Sequence, residues 1–194
     1  MTPHSLWRTG KAAASGHMRV VGGELGGRRL TAPRGIRPTQ GLVKEAVFNI
    51  LGPSVDRATV LDLFAGSGAL GIEALSRGAA TATFVDHDDA AVRAIRRNLG
   101  ALGLGERGKA VRAEVTTWLV SHPDDVKAAS LVLLDPPYND AILEHALALL
   151  DTLVAGGTTV VAEHAHRRPL PALERLRAKP QRRYGDTAIS FLEL

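Results

Sequence analysis

Val60-Leu61-Asp62-Leu63-Phe64-Ala65-Gly66-Ser67-Gly68-Ala69-Leu70-Gly71 is the stretch on which the fold turns. An apolar run ends in a glycine-rich turn and passes into a helical pattern, as a buried strand does when it feeds a helix at the ligand edge of an open sheet. Glycines at 66, 68 and 71 let a ligand come against the backbone and let the helix lie close on its strand. The Gly-x-Gly-x-x-Gly spacing alone also suits a dinucleotide.

Asp62 separates the two readings. It lies four residues before Gly66 in an otherwise apolar strand end, where an ionised carboxylate needs a partner. Its charge repels a pyrophosphate and attracts an ammonium. The expected ligand is therefore S-adenosylmethionine (product S-adenosylhomocysteine), with its amino group and sulfonium. An NAD-dependent oxidoreductase is the rival that Asp62 argues against. Asp86, twenty residues after Gly66 at the end of the next apolar run, stands where an acid accepts hydrogen bonds from a ribose diol. Glu114, after the third run, is placed to take an adenine amino group.

Outward from the glycine turn, the chain alternates. Apolar runs at 60–64, 82–85, 109–113, 131–134 and 159–162 are separated by helical patterns at 69–77, 88–102, 115–121, 140–154 and 170–177. Such alternation builds βαβ units, an α/β fold with a mostly parallel sheet and helices on both faces. The tail breaks the rhythm: Arg182-Arg183-Tyr184, a Gly185-Asp186 turn and Ile189–Leu192 predict an antiparallel hairpin. Before the first run, Val43, Ala46, Val47, Ile50 and Leu51 recur at helical spacing, with Thr39 in front and Gly52-Pro53 behind. Arg19-Val20-Val21 and Arg28–Ala32 flank Gly22–Gly27 and predict a β-hairpin. Residues 1–17 carry no apolar period and no secretory core, and read as a disordered leader with Met18 as the expected start. The organisation expected is leader 1–17, hairpin and loop 18–38, and one domain over 39–194.

Composition sets the outer limits. The chain has 194 residues, 45% hydrophobic, 23% charged, with no cysteine. That suits one ordinary domain and excludes disordered, collagen-like and disulfide-stapled classes, thiolate metal sites and thiol nucleophiles. No apolar run reaches the ~18–20 residues that cross a bilayer, so the expectation is a cytoplasmic protein with no membrane partner. The net charge of +4 is unevenly placed. Residues 1–40 carry seven bases against Glu24 alone, and residues 167–183 seven against Glu174 alone, around an acidic middle. Arginine pairs with phosphate through two parallel hydrogen bonds, so Arg19, Arg28, Arg29, Arg34, Arg167, Arg168, Arg182 and Arg183 are the expected nucleic-acid contacts.

The most specific signal is Leu134-Asp135-Pro136-Pro137-Tyr138, closing the fourth run. Two prolines stiffen the loop and hold Asp135 and the Pro136 carbonyl together. An exocyclic amine on a base is a poor nucleophile, because its lone pair is delocalised into the ring. Two acceptors that hold both N–H bonds turn that lone pair outward, and Tyr138 is placed to stack on the base. In an open sheet, strands one and four flank the reversal of strand order, so both loops face one crevice. His164 and His166 share a strand face without further grouped ligands, and no metal site is expected.

These motifs resemble those of a class I S-adenosylmethionine-dependent methyltransferase and, more closely, the RsmD family, which methylates guanine N2 in bacterial small-subunit (16S) ribosomal RNA. The resemblance spans residues 18–194 and rests on Arg19-Val20-Val21-Gly22-Gly23, Arg37-Pro38-Thr39, Glu45-x-x-Phe48-Asn49-Ile50-Leu51, the 62–71 turn, Asp135–Tyr138 and Tyr184-Gly185-Asp186-Thr187. It implies a Rossmann-like sheet of seven strands, the last antiparallel, with the segment around Thr39 covering the cofactor. The family's Asp-Arg pair after Thr39 is replaced here by Gly41-Leu42, and its usual Asp by Glu114. The expected cofactor residues are Thr39, Asp62, Phe64, Gly66, Ser67, Gly68, Asp86, His87, Glu114 and Asp135. Asp135, Pro136, Pro137 and Tyr138 form the expected catalytic set. The expected partner is ribosomal RNA within a small-subunit assembly, met by a monomer. The alternatives are an amino methyltransferase of DNA adenine or cytosine, whose bases the Asp-Pro-Pro-Tyr loop also serves, and a non-catalytic RNA-binding assembly protein.

Overall fold

Alternating side chains of the central strands enter two different cores, and this divides the molecule into layers. In the structure, a computed structural model describing residues 18–33, 41–136 and 140–194, eight strands form one sheet. They are β1 (Thr59–Leu63), β2 (Thr81–Asp86), β3 (Gly108–Arg112), β4 (Leu131–Leu134), β5 (Thr159–Ala165), β6 (Arg177–Ala178), β7 (Arg182–Tyr184) and β8 (Thr187–Glu193). Their order is β3-β2-β1-β4-β5-β8-β6, with β7 also on β8. The first five run parallel, β8 is antiparallel to β5, and β6 and β7 are antiparallel to β8. β1 and β4 are direct neighbours at the reversal of strand order.

Val60, Leu131 and Leu133 face a core shared with α1 (Gly41–Leu51), α2 (Ala69–Ser76) and α3 (Asp89–Ala101). Leu61, Leu63, Val132 and Leu134 face the other, shared with α4 (Val115–Ser121), α5 (Pro123–Ala128) and α6 (Asp140–Leu153). Burial on both faces is why these strands read as unbroken apolar runs. Residues 18–33 form a bracket outside the sheet. Arg19 and Arg29 pair antiparallel, and Val20 exchanges backbone bonds with Arg28 and Gly27 at 3.0 and 2.9 Å.

Four sequence expectations change. Residues 170–177 form no helix. The N–H groups of Glu174, Arg175 and Leu176 go instead to the Asp151 carboxylate of α6, at 2.7, 3.0 and 2.6 Å, and the segment then enters β6. The sheet has eight strands rather than seven, because two short pieces share the outer edge of β8. Pro180 lies between them and has no N–H to give the ladder. An unforeseen helix, α5, starts at Pro123 with Asp124 and Asp125 in its first turn and Lys127 in its last, an arrangement that suits the helix dipole. In α1 the inward face is Val43, Lys44, Val47, Phe48 and Leu51, and Ile50 is 46% exposed.

The expected leader, Arg34, Thr39, Pro137 and Tyr138 lie outside the described residues. Among the described residues no helix is long and apolar enough to cross a membrane.

Candidate functional site

β1 ends in strain. Phe64 adopts φ 60°, a left-handed conformation that costs a non-glycine residue about 1–3 kcal/mol. Gly66 and Gly68 follow at φ 55° and 77°, which glycine adopts without that cost. The turn so made delivers Ala69 into α2. Gly71 sits where any Cβ would overlap the Phe84 ring and approach Asp62 Oδ2 to 2.9 Å, so the helix lies against its strand as the spacing required.

Asp62 is 1% exposed beneath this turn, and its Oδ2 accepts the Gly71 N–H at 2.8 Å. Burial pushes its pKa well above the ordinary carboxylate value. The Gly71 hydrogen bond works against that rise, and the nearby Asp135 and Asp86 carboxylates add to it. A cation beside it would favour its ionised form. Asp86 closes β2 and ties the turn to the next strand: its Oδ2 accepts from Gly66 N–H and its Oδ1 from Asp88 N–H, both at 2.8 Å. Each oxygen keeps further acceptor capacity for a hydroxyl. His87 is exposed, its Nδ1 3.6 Å from Asp86 Oδ1. Glu114 is exposed at the head of α4 and makes no capping bond there. Ser67 is buried, and its hydroxyl is directed at Met18 Sδ, 2.9 Å away. A left-handed glycine turn over a sealed carboxyl, with a second carboxylate one strand away, fits an amino acid joined to a nucleoside.

At β4 the register brings Leu134 opposite Leu63, and the Asp135 N–H lies 3.5 Å from Leu63 O. Asp135 and Pro136 are half-buried beside the glycine turn. Asp135 is close enough to Asp62 to act on its charge. Asp62, Gly66, Gly68, Asp86 and Asp135 thus come together, with Glu114 and His87 at the rim.

The expected phosphate contacts divide between two places. Arg19, Arg28 and Arg29 are exposed on the bracket, near the glycine turn that Met18 reaches; the Arg19 guanidinium donates to Gly27 O at 2.9 Å and that of Arg28 to Ala101 O at 3.3 Å. Arg167 and Arg168 follow β5 at its carboxyl end. Arg182 and Arg183 reach the same end, because Tyr184 pairs with Thr187, which pairs with Ala165. All four are exposed.

Three buried residues that support the site went unforeseen. Glu73 takes the N–H groups of Val21 and Gly22, each at 2.7 Å, and pairs with Lys44 at 3.5 Å and Arg77 at 2.9 Å. Lys44 Nζ also donates to Arg19 O at 2.7 Å. Asn98, on α3, accepts from Thr31 N–H at 2.8 Å and donates to Thr31 O and to Ser67 O, at 2.9 and 3.0 Å. It joins the bracket to the glycine turn. The available signals were a lone acid in apolar α2 and a lysine on the apolar face of α1. Of the two histidines expected on one strand face, His164 is buried on β5 with Nε2 on Ser190 Oγ at 2.8 Å, and His166 lies past the end of that strand, half-buried. Among the described residues no group of three or more His, Asp or Glu is placed to hold a metal ion.

Comparison with known proteins agrees with this geometry. Residues 18–193 match the family described as Conserved hypothetical protein 95. The chain is 39% identical to Ribosomal RNA small subunit methyltransferase D of Escherichia coli over 141 residues, covering 72% of this chain and 69% of that protein. It is 40% identical to the Bacillus subtilis protein YlbH over 158 residues, covering 79% and 86%. The solved structure of Escherichia coli yhhF superposes with a TM-score of 0.82 at 32% identity, covering 92% of this chain and 98% of that one. By family model, identity and fold, the chain belongs to the Conserved hypothetical protein 95 family, that of the RsmD methyltransferases.

Proposed function

We propose that the protein transfers a methyl group from S-adenosylmethionine to the exocyclic N2 amino group of a guanine in small-subunit ribosomal RNA. It would do so as a cytoplasmic monomer acting on an RNA-containing assembly. The observation that carries this reading is the adjacency of two loops on neighbouring parallel strands: the Asp62–Gly71 turn and Asp135-Pro136.

S-Adenosylmethionine supplies an electrophilic methyl group whose bond to sulfur breaks with the electron pair left on sulfur. The chain's own part is to bind and orient. Asp62, paired with the ammonium, and the Gly66–Gly68 backbone hold the amino-acid end. Asp86 accepts from the ribose hydroxyls, and Glu114 from the adenine amine. The Asp135 carboxylate and the Pro136 carbonyl accept the two amine N–H bonds, so that the nitrogen lone pair faces the methyl carbon and forms the new bond. The methylated nitrogen then carries a positive charge and readily gives a proton to Asp135 or to water. Positioning of this kind is worth several orders of magnitude in rate without a strong base.

The test is tritiated methyl transfer to small-subunit particles from a bacterial strain lacking its own enzyme of this family, followed by nucleoside analysis. Labelled N2-methylguanosine is expected. Asp135→Ala should keep RNA binding while single-turnover methylation at saturating S-adenosylmethionine falls at least about 100-fold. Near-normal turnover in that folded variant would remove Asp135 from the amine-holding role.

A further inference from the structure

We infer that Glu163 determines base specificity by accepting the ring N1–H of guanine beside the amino group that Asp135 holds. This rests on the methyltransferase reading of the same site. Leu134 stands opposite Ala162 in the parallel β4–β5 pair, so Asp135 and Glu163 are the next residues in step on adjacent strands, about 4.8 Å apart. Their side chains share a face. Leu133 and Val161, two residues earlier on each strand, enter the core under α1, and Asp135 lies near Asp62 on that same side. Glu163 lines a small cavity there with Val43, Val47, Leu133, Leu134 and Val161. It is half-buried, with its methylenes on the apolar lining of that cavity. A half-buried carboxylate beside Asp135 is a strong acceptor, and it disfavours any acceptor placed against it.

The chemistry of the bases converts this placement into selectivity. Of the four RNA bases, guanine alone has a ring N–H next to an exocyclic amine. Adenine and cytosine carry a bare ring nitrogen there, an acceptor that would face the Glu163 oxygens lone pair to lone pair. Two carboxylates side by side suit an edge made only of donors. Sites that hydrogen-bond a substrate group reject analogues lacking it far more strongly than apolar pockets reject a missing methylene. Asp135 grips the amine of any of these bases, so Glu163 is the group that tells them apart.

The experiment replaces the target guanosine, once identified, with 2-aminopurine, which keeps the amine and lacks the N1–H. Wild-type protein should methylate the guanine RNA about 100-fold faster than the 2-aminopurine RNA, in single turnover. Glu163→Gln offers an N–H of its own. It should lose about 10- to 100-fold on guanine, narrow the preference to within about tenfold, and keep its affinity for S-adenosylhomocysteine. Glu163→Asp, which keeps the carboxylate, should keep the preference at a reduced rate, and it decides the matter if the amide variant does not fold. A Glu163→Gln protein with wild-type rate and preference, or a Glu163→Asp protein without the preference, overturns the assignment. Wild-type protein that methylates no guanine overturns the functional reading beneath it instead.

Discussion

The two basic segments of this chain are fastened to the body by the same device and put to different use. In each, a carboxylate on a helix captures backbone N–H groups of the segment: Glu73 of α2 takes Val21 and Gly22, and Asp151 of α6 takes Glu174, Arg175 and Leu176. The difference lies in the counter-charge. Glu73 is answered by Lys44 of α1 and by Arg77 just past the end of α2, and Arg19 and Arg29 of the bracket stay on the surface. Asp151 is answered by Arg175, drawn from the segment it holds. Its guanidinium also caps α6 by donating to Asp151 O and Thr152 O at 3.0 Å and to Val154 O at 3.3 Å. Two runs that look alike as charge are thus a surface in one case and partly a fastening in the other.

Breaking the first clamp should have the largest effect. Lys44 and Glu73 are 1% and 0% exposed, and burial pulls the Lys44 amine below its ordinary pKa while Glu73 pulls it back. Glu73→Gln removes the partner and leaves the amine buried, a change worth about 3–5 kcal/mol. Denaturant unfolding should show that loss, and adding Lys44→Met should recover part of it. A loss below about 1 kcal/mol would mean that the pair is not what holds the bracket.

The second clamp should cost less and respond to acid. Burial pushes the Asp151 carboxyl up, but the N–H groups of Leu176, Glu174 and Arg175 and the Arg175 guanidinium outweigh it and leave its pKa below the ordinary value. A depressed carboxylate contributes its stability above the unfolded value, near pH 4, and loses it as pH falls through the folded one. Asp151→Ala should therefore cost about 2–3 kcal/mol at pH 7. The gap to wild type should close below pH 4 in unfolding curves taken across pH. A gap independent of pH would place the effect in packing.

This contrast also marks what the sequence could tell. The 131–134 strand and the 115–121 helix were legible residue for residue, because local apolar runs and periods specify them. So was the glycine turn, whose requirements are met within twelve residues. Residues 170–177 were not: Leu170, Leu173 and Leu176 imitate a helical period, and the carboxylate that diverts the backbone is more than twenty residues away in α6. Lys44, Glu73 and Asn98 escaped for the same reason, since their partners are backbone groups brought from 25 to 67 residues away. Glu163 gains its meaning only from the strand beside it.

The smallest expected effect discriminates most finely between the two uses of arginine. Arg182 and Arg167 are exposed at the carboxyl end of β5, beside the loop that bears Asp135. Arg175 lies among the α6 carbonyls, and Arg177 stands opposite Glu193 in the β6–β8 ladder near the opposite end of the sheet. Each alanine substitution removes one positive charge, so long-range attraction for RNA falls equally in all of them. Only a direct phosphate contact changes the number of counterions released on binding. Arg182→Ala and Arg167→Ala should each lower the slope of log affinity against log salt by about 0.7–1, with stability unchanged to about 0.5 kcal/mol. Arg175→Ala should reverse the pattern: its three carbonyl partners lose a charged donor, stability falls by about 1.5–3 kcal/mol, and the salt slope holds. The measurement is a filter-binding salt titration on small-subunit RNA beside denaturant unfolding of the same proteins. If Arg175→Ala flattens the slope as much as Arg182→Ala does, the second basic segment acts as one continuous RNA surface, and the α6 fastening is not what sets its arginines apart.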